Sequence, residues 1–273
     1  MLALTSSIEH IFDRPFNRPM LTILGPAKTI DTSPHGVTER HSYSKYLEQA
    51  EELVDQLRQY SISQLKSLMT VSDKLATLTF ERYAAWHSSY SAEEAQQAIL
   101  AFSGEVFNGI QARSLSEEEL LFSQKHVRIL SGLYGVLRPL DLILPYRLEM
   151  GAKMHNAEGS NLYEFWKAFI PKEIAEATGM QTTRVLVNLA SNEYFKSIQP
   201  RTLPYQIITP VFKESDGAGF RNVTIYAKKA RGMMLRFIIQ NRINNPEYLK
   251  AFDEEGYCFN NDLSSEKEWI FYR

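Results

Sequence analysis

Lys228, Lys229, Arg231, Arg236 and Arg242 crowd into one stretch of chain with no acid among them. Read as a helix, they span about four turns. Ala230, Met233, Met234, Phe237, Ile238 and Asn241 fall on a single stripe of that helix, which makes the stripe core and leaves the cations off it. Like charges so spaced repel one another. The cluster makes best sense facing an anion, although a plain solvated basic face has the same composition.

A second constellation lies in Leu130–Gly151, LSGLYGVLRPLDLILPYRLEMG. A polar, helix-prone segment (116–131) runs into Gly132-Leu133-Tyr134-Gly135, and an apolar run carrying Arg138, Asp141, Arg147 and Glu149 follows. Glycines three apart permit a tight turn and bring N–H groups close to a ligand. A helix starting there would add its unpaired N–H groups. Helix, glycine hairpin and helix would suit a phosphate of a nucleic-acid backbone. An ordinary connection between packed helices would show the same spacing.

Three smaller stretches carry candidate groups. Gly25-Pro26-Ala27-Lys28-Thr29 follows a short apolar strand, so Lys28 could stand at a strand's carboxyl end, where open sheets bind ligands. The stretch lacks the spacing of a Walker loop. In NLASNEYFKS (188–197), Glu193 and Lys196 would share one side of a short helix, as a surface pair or as polar groups in a cleft. Lys74, in Ser72-Asp73-Lys74, is similarly ambiguous. The six histidines are scattered without Cys partners, HxH or HExxH, so no metal or other cofactor is expected. No G-x-S-x-G elbow occurs and no catalytic motif is evident.

The elements that must position these groups are mostly helical before residue 133 and mixed after it. Met20–Leu24 reads as a buried strand, with Met20 as the true start and residues 1–19 as a flexible extension. Residues 46–57 have helical spacing. Ser63 and Ser72 read as caps, Ser91 with Glu94 as a capping box opening a helix to Ala101, and Ser116 with Glu119 as another. Residues 162–177 and 227–243 read as helices, and 192–195 start a short helix that ends before Pro200. Residues 184–189, 205–212, 221–226 and 268–272 read as strands, with a turn at Asp216–Gly219. Strands at both ends of a helical middle predict an α+β fold, and the lack of repeats or linkers predicts one domain over residues 20–273.

Bulk properties set limits. With 273 residues, 44% hydrophobic and 12% aromatic, the chain can build a real core. Its formal charge of −2 predicts no bulk attraction to nucleic acid or membrane. Between Arg184 and Lys250, however, eleven Lys/Arg face four Asp/Glu. One cysteine, Cys258, rules out an internal disulfide framework and fits a reducing compartment. No apolar run could span a bilayer and the first residues carry no signal-peptide pattern, so a cytoplasmic location is expected.

Taken together, MLTILGPAKTID, SDKLA, LSGLYGVLRPLDLILPYRLEMG, NLASNEYFKSI and YAKKARGMMLRFIIQNR resemble the YaaA family of bacterial peroxide-stress proteins, from Met20 to about Phe271. The resemblance implies an α+β fold particular to that family, a helix-hairpin-helix element and a positively charged cleft. It also implies binding to duplex and branched DNA, a link to recombination repair, and a part in limiting damage from peroxide and free iron. Gly132 to Gly135 with Arg138 would then hold the DNA backbone, and Lys28, Lys74, Arg147, Lys196, Lys228, Lys229, Arg231 and Arg236 would line the cleft. Gly25 departs from the family pattern, which has serine there, and residues 1–19 have no counterpart. Two other readings share these residues. One is a repair lyase or glycosylase with Lys28 or Lys196 as Schiff-base nucleophile, assisted by Glu193 or Asp73. The other is an enzyme or binder for a small phosphorylated metabolite.

Overall fold

The computed structural model describes residues 20–33, 37–179, 185–215, 217 and 219–273. The extension over residues 1–19, Arg184, and two residues of the expected turn at Asp216–Gly219 lie outside the described residues. Among the described residues a mixed sheet forms from β1 (Met20–Leu24), β2 (Val127–Ser131), β3 (Gly135–Leu137), β4 (Val185–Asn188), β5 (Gln206–Ser215), β6 (Phe220–Arg221), β7 (Cys258–Asn260) and β8 (Glu268–Tyr272). The strand order is β7-β8-β5-β4-β1-β2-β3, with β6 also on β5.

The five middle strands run parallel, β2-β1-β4-β5-β8, and antiparallel β3 and β7 close the two ends. Helices with mixed sheets keep the fold within the α+β description. The parallel centre explains why β1, β2 and β4 are mostly apolar and buried at every residue, Thr22, Arg128, Ser131 and Asn188 being the polar exceptions: strands covered on both faces lose the alternation of a half-solvated sheet.

The helices used below are α1 (Leu47–Leu57), α2 (Ile62–Met69), α3 (Asp73–Ala85), α4 (Glu105–Ile110), α5 (Glu117–His126), α6 (Ile170–Ala177), α7 (Asn192–Phe195) and α8 (Thr224–Gln240). Helix α1 buries Ala50, Leu53, Val54 and Leu57, the stripe its spacing predicts. Ser72 caps α3, and Ser116 with Glu119 forms both bonds of a capping box on α5. Several expectations fail locally: residues 224–226, expected in a strand, open α8, and the strand there is only Phe220–Arg221. Helix α2 is capped by Ser61, whose side chain accepts from Gln64 N, rather than by Ser63. The Ser91–Glu94 bond forms, but it closes a turn, and only Ala98–Ala101 is helical.

The largest correction concerns the glycine hairpin. Helix α5 stops at His126, and the chain passes at once into β2, turns over 132–134 and returns antiparallel as β3, pairing Ser131 with Gly135. No helix follows the turn; the element is a β-hairpin. Its four turn residues are buried, with Leu133 and Tyr134 at 0% exposure.

Where α5 meets β2, the His126 ring stacks on Phe122 with centroids 4.3 Å apart and lies 3.4 Å from the Met20 carbonyl. Burial, ahead of the nearby Lys125 and Arg128 charges, pushes this imidazole below its ordinary value. The folded protein therefore binds that proton more weakly than the unfolded chain. The contribution is fully present above the free-imidazole value of about 6.5 and is lost as pH falls below it. Urea midpoints compared at pH 7.5 and 5.5 should fall for the natural chain, and fall less for His126→Gln.

Candidate functional site

The order of the sheet selects one place for a ligand. From β1 the chain moves outward to β2 and β3 on one side; from β4, on the other side of β1, it moves out to β5 and β8. The direction thus reverses between β1 and β4, and the crevice beyond the carboxyl ends of such a strand pair is where open sheets hold ligands. Here Leu24 leads into Gly25–Thr29, and Asn188 leads into Leu189–Ser191 and α7. The Asn188 side chain accepts from Ala190 N at 3.0 Å and donates to Thr209 at 3.3 Å, which pins the second loop.

A cleft of about 500 Å³ opens at this point. Its walls come from 25–29, from 103–107 at the start of α4, from a strap over 146–149, from 189–194, and from Lys228 and Arg231 of α8. Of the candidate residues, Lys28, Arg147, Lys228 and Arg231 converge here, drawn from three distant stretches. Glu105, Glu149 and Glu193 line the same space, so four cations meet three carboxylates and the lining nets one positive charge. The lining is of mixed sign, where the resemblance implies a basic cleft.

The charges divide into satisfied and free groups. Glu149 takes Lys28 at 2.7 Å and Arg147 at 3.0 Å, engaging both of its oxygens. Arg147 keeps a buried Nε with no acceptor. Arg82 on α3 stands near it; burial, then the Arg147 charge, pushes the Arg82 guanidinium below its ordinary value. Lys228 and Arg231 sit one turn apart on one face of α8. Burial alone pushes Arg231 down, and no carboxylate or carbonyl among the described residues meets it. Glu193 accepts from Gly151 N at 2.8 Å through one oxygen and makes no ion pair with Lys196 among the described residues.

The Gly132–Gly135 turn is buried and turns its N–H groups inward. The Ser131 hydroxyl accepts from Leu133 N and Tyr134 N at 3.2 and 2.9 Å, so those N–H groups are spent inside the protein. A Cβ on Gly132 would strike the Leu148 carbonyl, and one on Gly135 (φ +66°) would come within 2.7 Å of the Trp166 ring. Gly132 instead lets the strap bearing Arg147 and Glu149 lie against the hairpin.

The remaining candidates stand elsewhere. Arg138 donates to Asp141 and to the Tyr43 carbonyl. Lys229 pairs with Glu255. Arg236 donates to the carbonyls of Ile110 and Gln111 and to Ser114 Oγ, capping the end of α4 as a cation at a helix C-terminus should. Arg242 pairs with Glu118 at 2.6 Å. Lys74 and Lys196 are exposed and outside the cleft lining.

The model of the peroxide stress protein YaaA family matches residues 20–263. The chain belongs to that family. Among its described residues no helix is long and apolar enough to cross a membrane. A serine at position 25, which the resemblance implies, would fit here as well: a Cβ on Gly25 meets Tyr194 at 3.6 Å, ordinary contact distance. Gly25→Ser should leave stability within about 0.5 kcal/mol of the natural chain in thermal unfolding.

Sequence reasoning missed Glu105, Ser191, Tyr146 and Tyr194 as cleft residues. Tyr146 and Tyr194 lie beside quoted charges, in PYRLE and NEYFK, and that adjacency was the available signal. Glu105 carried none, since α4 reaches the cleft only through its contact with α8.

Proposed function

We propose that this peroxide stress protein binds DNA, with Lys28, Lys228 and Arg231 meeting phosphates at the cleft and Arg147 supporting them, and that it limits iron-dependent oxidative damage through that contact. The observation that carries the reading is Arg231, a partly buried guanidinium facing the cleft with no acceptor among the described residues. An uncompensated charge of this kind is costly to the fold and is offset when an anion arrives. Phosphate is the anion that arginine and lysine together recognise best. A cytoplasmic setting accords with the lone Cys258.

A salt-titrated mobility-shift series on duplex, bubble and four-way-junction DNA tests the reading. Three phosphate contacts give a slope of log K against log salt of roughly −2.7 on duplex DNA. Affinity unchanged between low and moderate salt rejects the proposal. The reading as a binder of small phosphorylated molecules draws on the same cleft and is favoured by its three carboxylates, which would repel a continuous run of phosphates. The lyase reading has no comparable support: Lys28 donates to Glu149, Lys196 lies outside the lining, and Asp73 pairs with Lys66 at 2.8 Å.

A further inference from the structure

The cleft is too small to enclose a duplex, whose phosphates could meet only its mouth, and its mixed charge disfavours a continuous run of phosphates inside it; both facts point to one kind of enclosed occupant. A space of about 500 Å³ is far less than a stretch of duplex would fill. It falls in the range of pockets that enclose a single small ligand. Its polar groups form two sets. Lys228 and Arg231 offer donors to an anion. Glu193 has one oxygen on Gly151 N and, among the described residues, no donor on the other, so it offers an acceptor to a hydroxyl or amino group. The same lining includes apolar wall from Pro26, Ala27, Val106 and Leu189.

We infer that the cleft takes a single nucleotide unit, its phosphate on Lys228 and Arg231, its sugar or base donors on Glu193, and its base against the apolar walls. This rests on the phosphate-binding reading above and narrows it. A phosphate group alone would leave Glu193 unpaired beside an anion, which is unfavourable; a nucleotide supplies the donors that remove the conflict. The unit can reach the cleft as a free nucleotide or as an unpaired nucleotide in DNA. A fully paired base cannot enter without leaving its stack.

The test uses the full chain, with calorimetric titration of the four deoxynucleoside monophosphates and of inorganic phosphate. In parallel, a duplex and the same duplex with a central bubble are titrated at fixed salt. The nucleotides should bind at least about 10-fold more tightly than inorganic phosphate, and the bubble at least about 10-fold more tightly than the duplex, the scale of one good polar contact with stacking. Glu193→Gln should remove most of the nucleotide preference, while inorganic phosphate, relieved of the carboxylate beside it, should bind at least as tightly as before. Gly25→Leu, which fills the floor under Tyr194, should block nucleotides, and its circular dichroism reports whether it has folded.

Nucleotide binding without any DNA binding would support the pocket, assign it to free nucleotides and defeat the DNA reading. Equal binding of duplex and bubble, with nucleotides no tighter than inorganic phosphate, overturns the pocket and leaves the DNA reading standing. Glu193→Gln without effect on nucleotide preference overturns it as well.

Discussion

Gly232→Ala, at the helix crossing beside the cleft, will sharply lower the melting temperature. Helices α4 and α8 cross with glycine on glycine: a Cβ on Gly232 would run into the Val106 carbonyl and lie 3.0 Å from the Gly109 Cα. A Cβ on Gly109 would strike the Lys229 carbonyl in turn. These are backbone atoms of helices, which cannot swing aside like the end of a side chain. Overpacking of this kind costs about 3 kcal/mol, or roughly 5–10 °C for a chain of this size. Gly219→Ala, where an added Cβ meets nothing within 4 Å, serves as the neutral comparison in the same calorimetric series. The crossing also sets how far Lys228 and Arg231 stand from Glu105, so whatever fraction folds should bind anions weakly.

Arg231→Met should move stability and binding in opposite directions. The substitution keeps an unbranched side chain of similar length and removes a guanidinium that burial disfavours and that no described residue satisfies. Stability should rise by about 1 kcal/mol in urea unfolding, because an unpaired desolvated charge is lost while its packing is kept. DNA affinity should fall about 10-fold and the salt slope should shrink by roughly one. A structural arginine would behave otherwise, losing stability on truncation. Arg236, bonded to two carbonyls and Ser114, is that case, and Arg236→Met should destabilise.

What the sequence revealed follows from how local each feature is. Met20–Leu24 and Val185–Asn188 were readable because buried parallel strands are short, continuous apolar runs bounded by turn residues. The α5 cap was readable because its bonds join residues three apart. The hairpin was misread because Val127-Arg128-Ile129-Leu130 follows a well-capped helix without a breaker, and two glycines three apart fit a helix connection and a β-turn equally. Its β-branched residues favoured a strand. Leu162–Ala177 was read as one helix and is broken between Trp166 and Ile170, a break no proline or glycine marks in advance of Pro171.

The site was less readable than the fold. Charge alone nominated Lys229, Arg236 and Arg242 on the same footing as Lys228 and Arg231. The difference is made by Glu255, the end of α4 and Glu118, which reach α8 only through the tertiary structure. The meeting of β1 and β4 likewise depends on strand order, which no local pattern encodes.

The central claim, that the β1–β4 cleft is where phosphate binds, is tested most directly by comparing two double variants in the salt dependence of duplex and bubble DNA binding. Lys228→Ala with Arg231→Ala should reduce the slope of log K against log salt by roughly two, while Lys74→Ala with Lys196→Ala should leave it unchanged. The reverse result, with the cleft pair silent and the outer pair reducing the slope, would contradict the account.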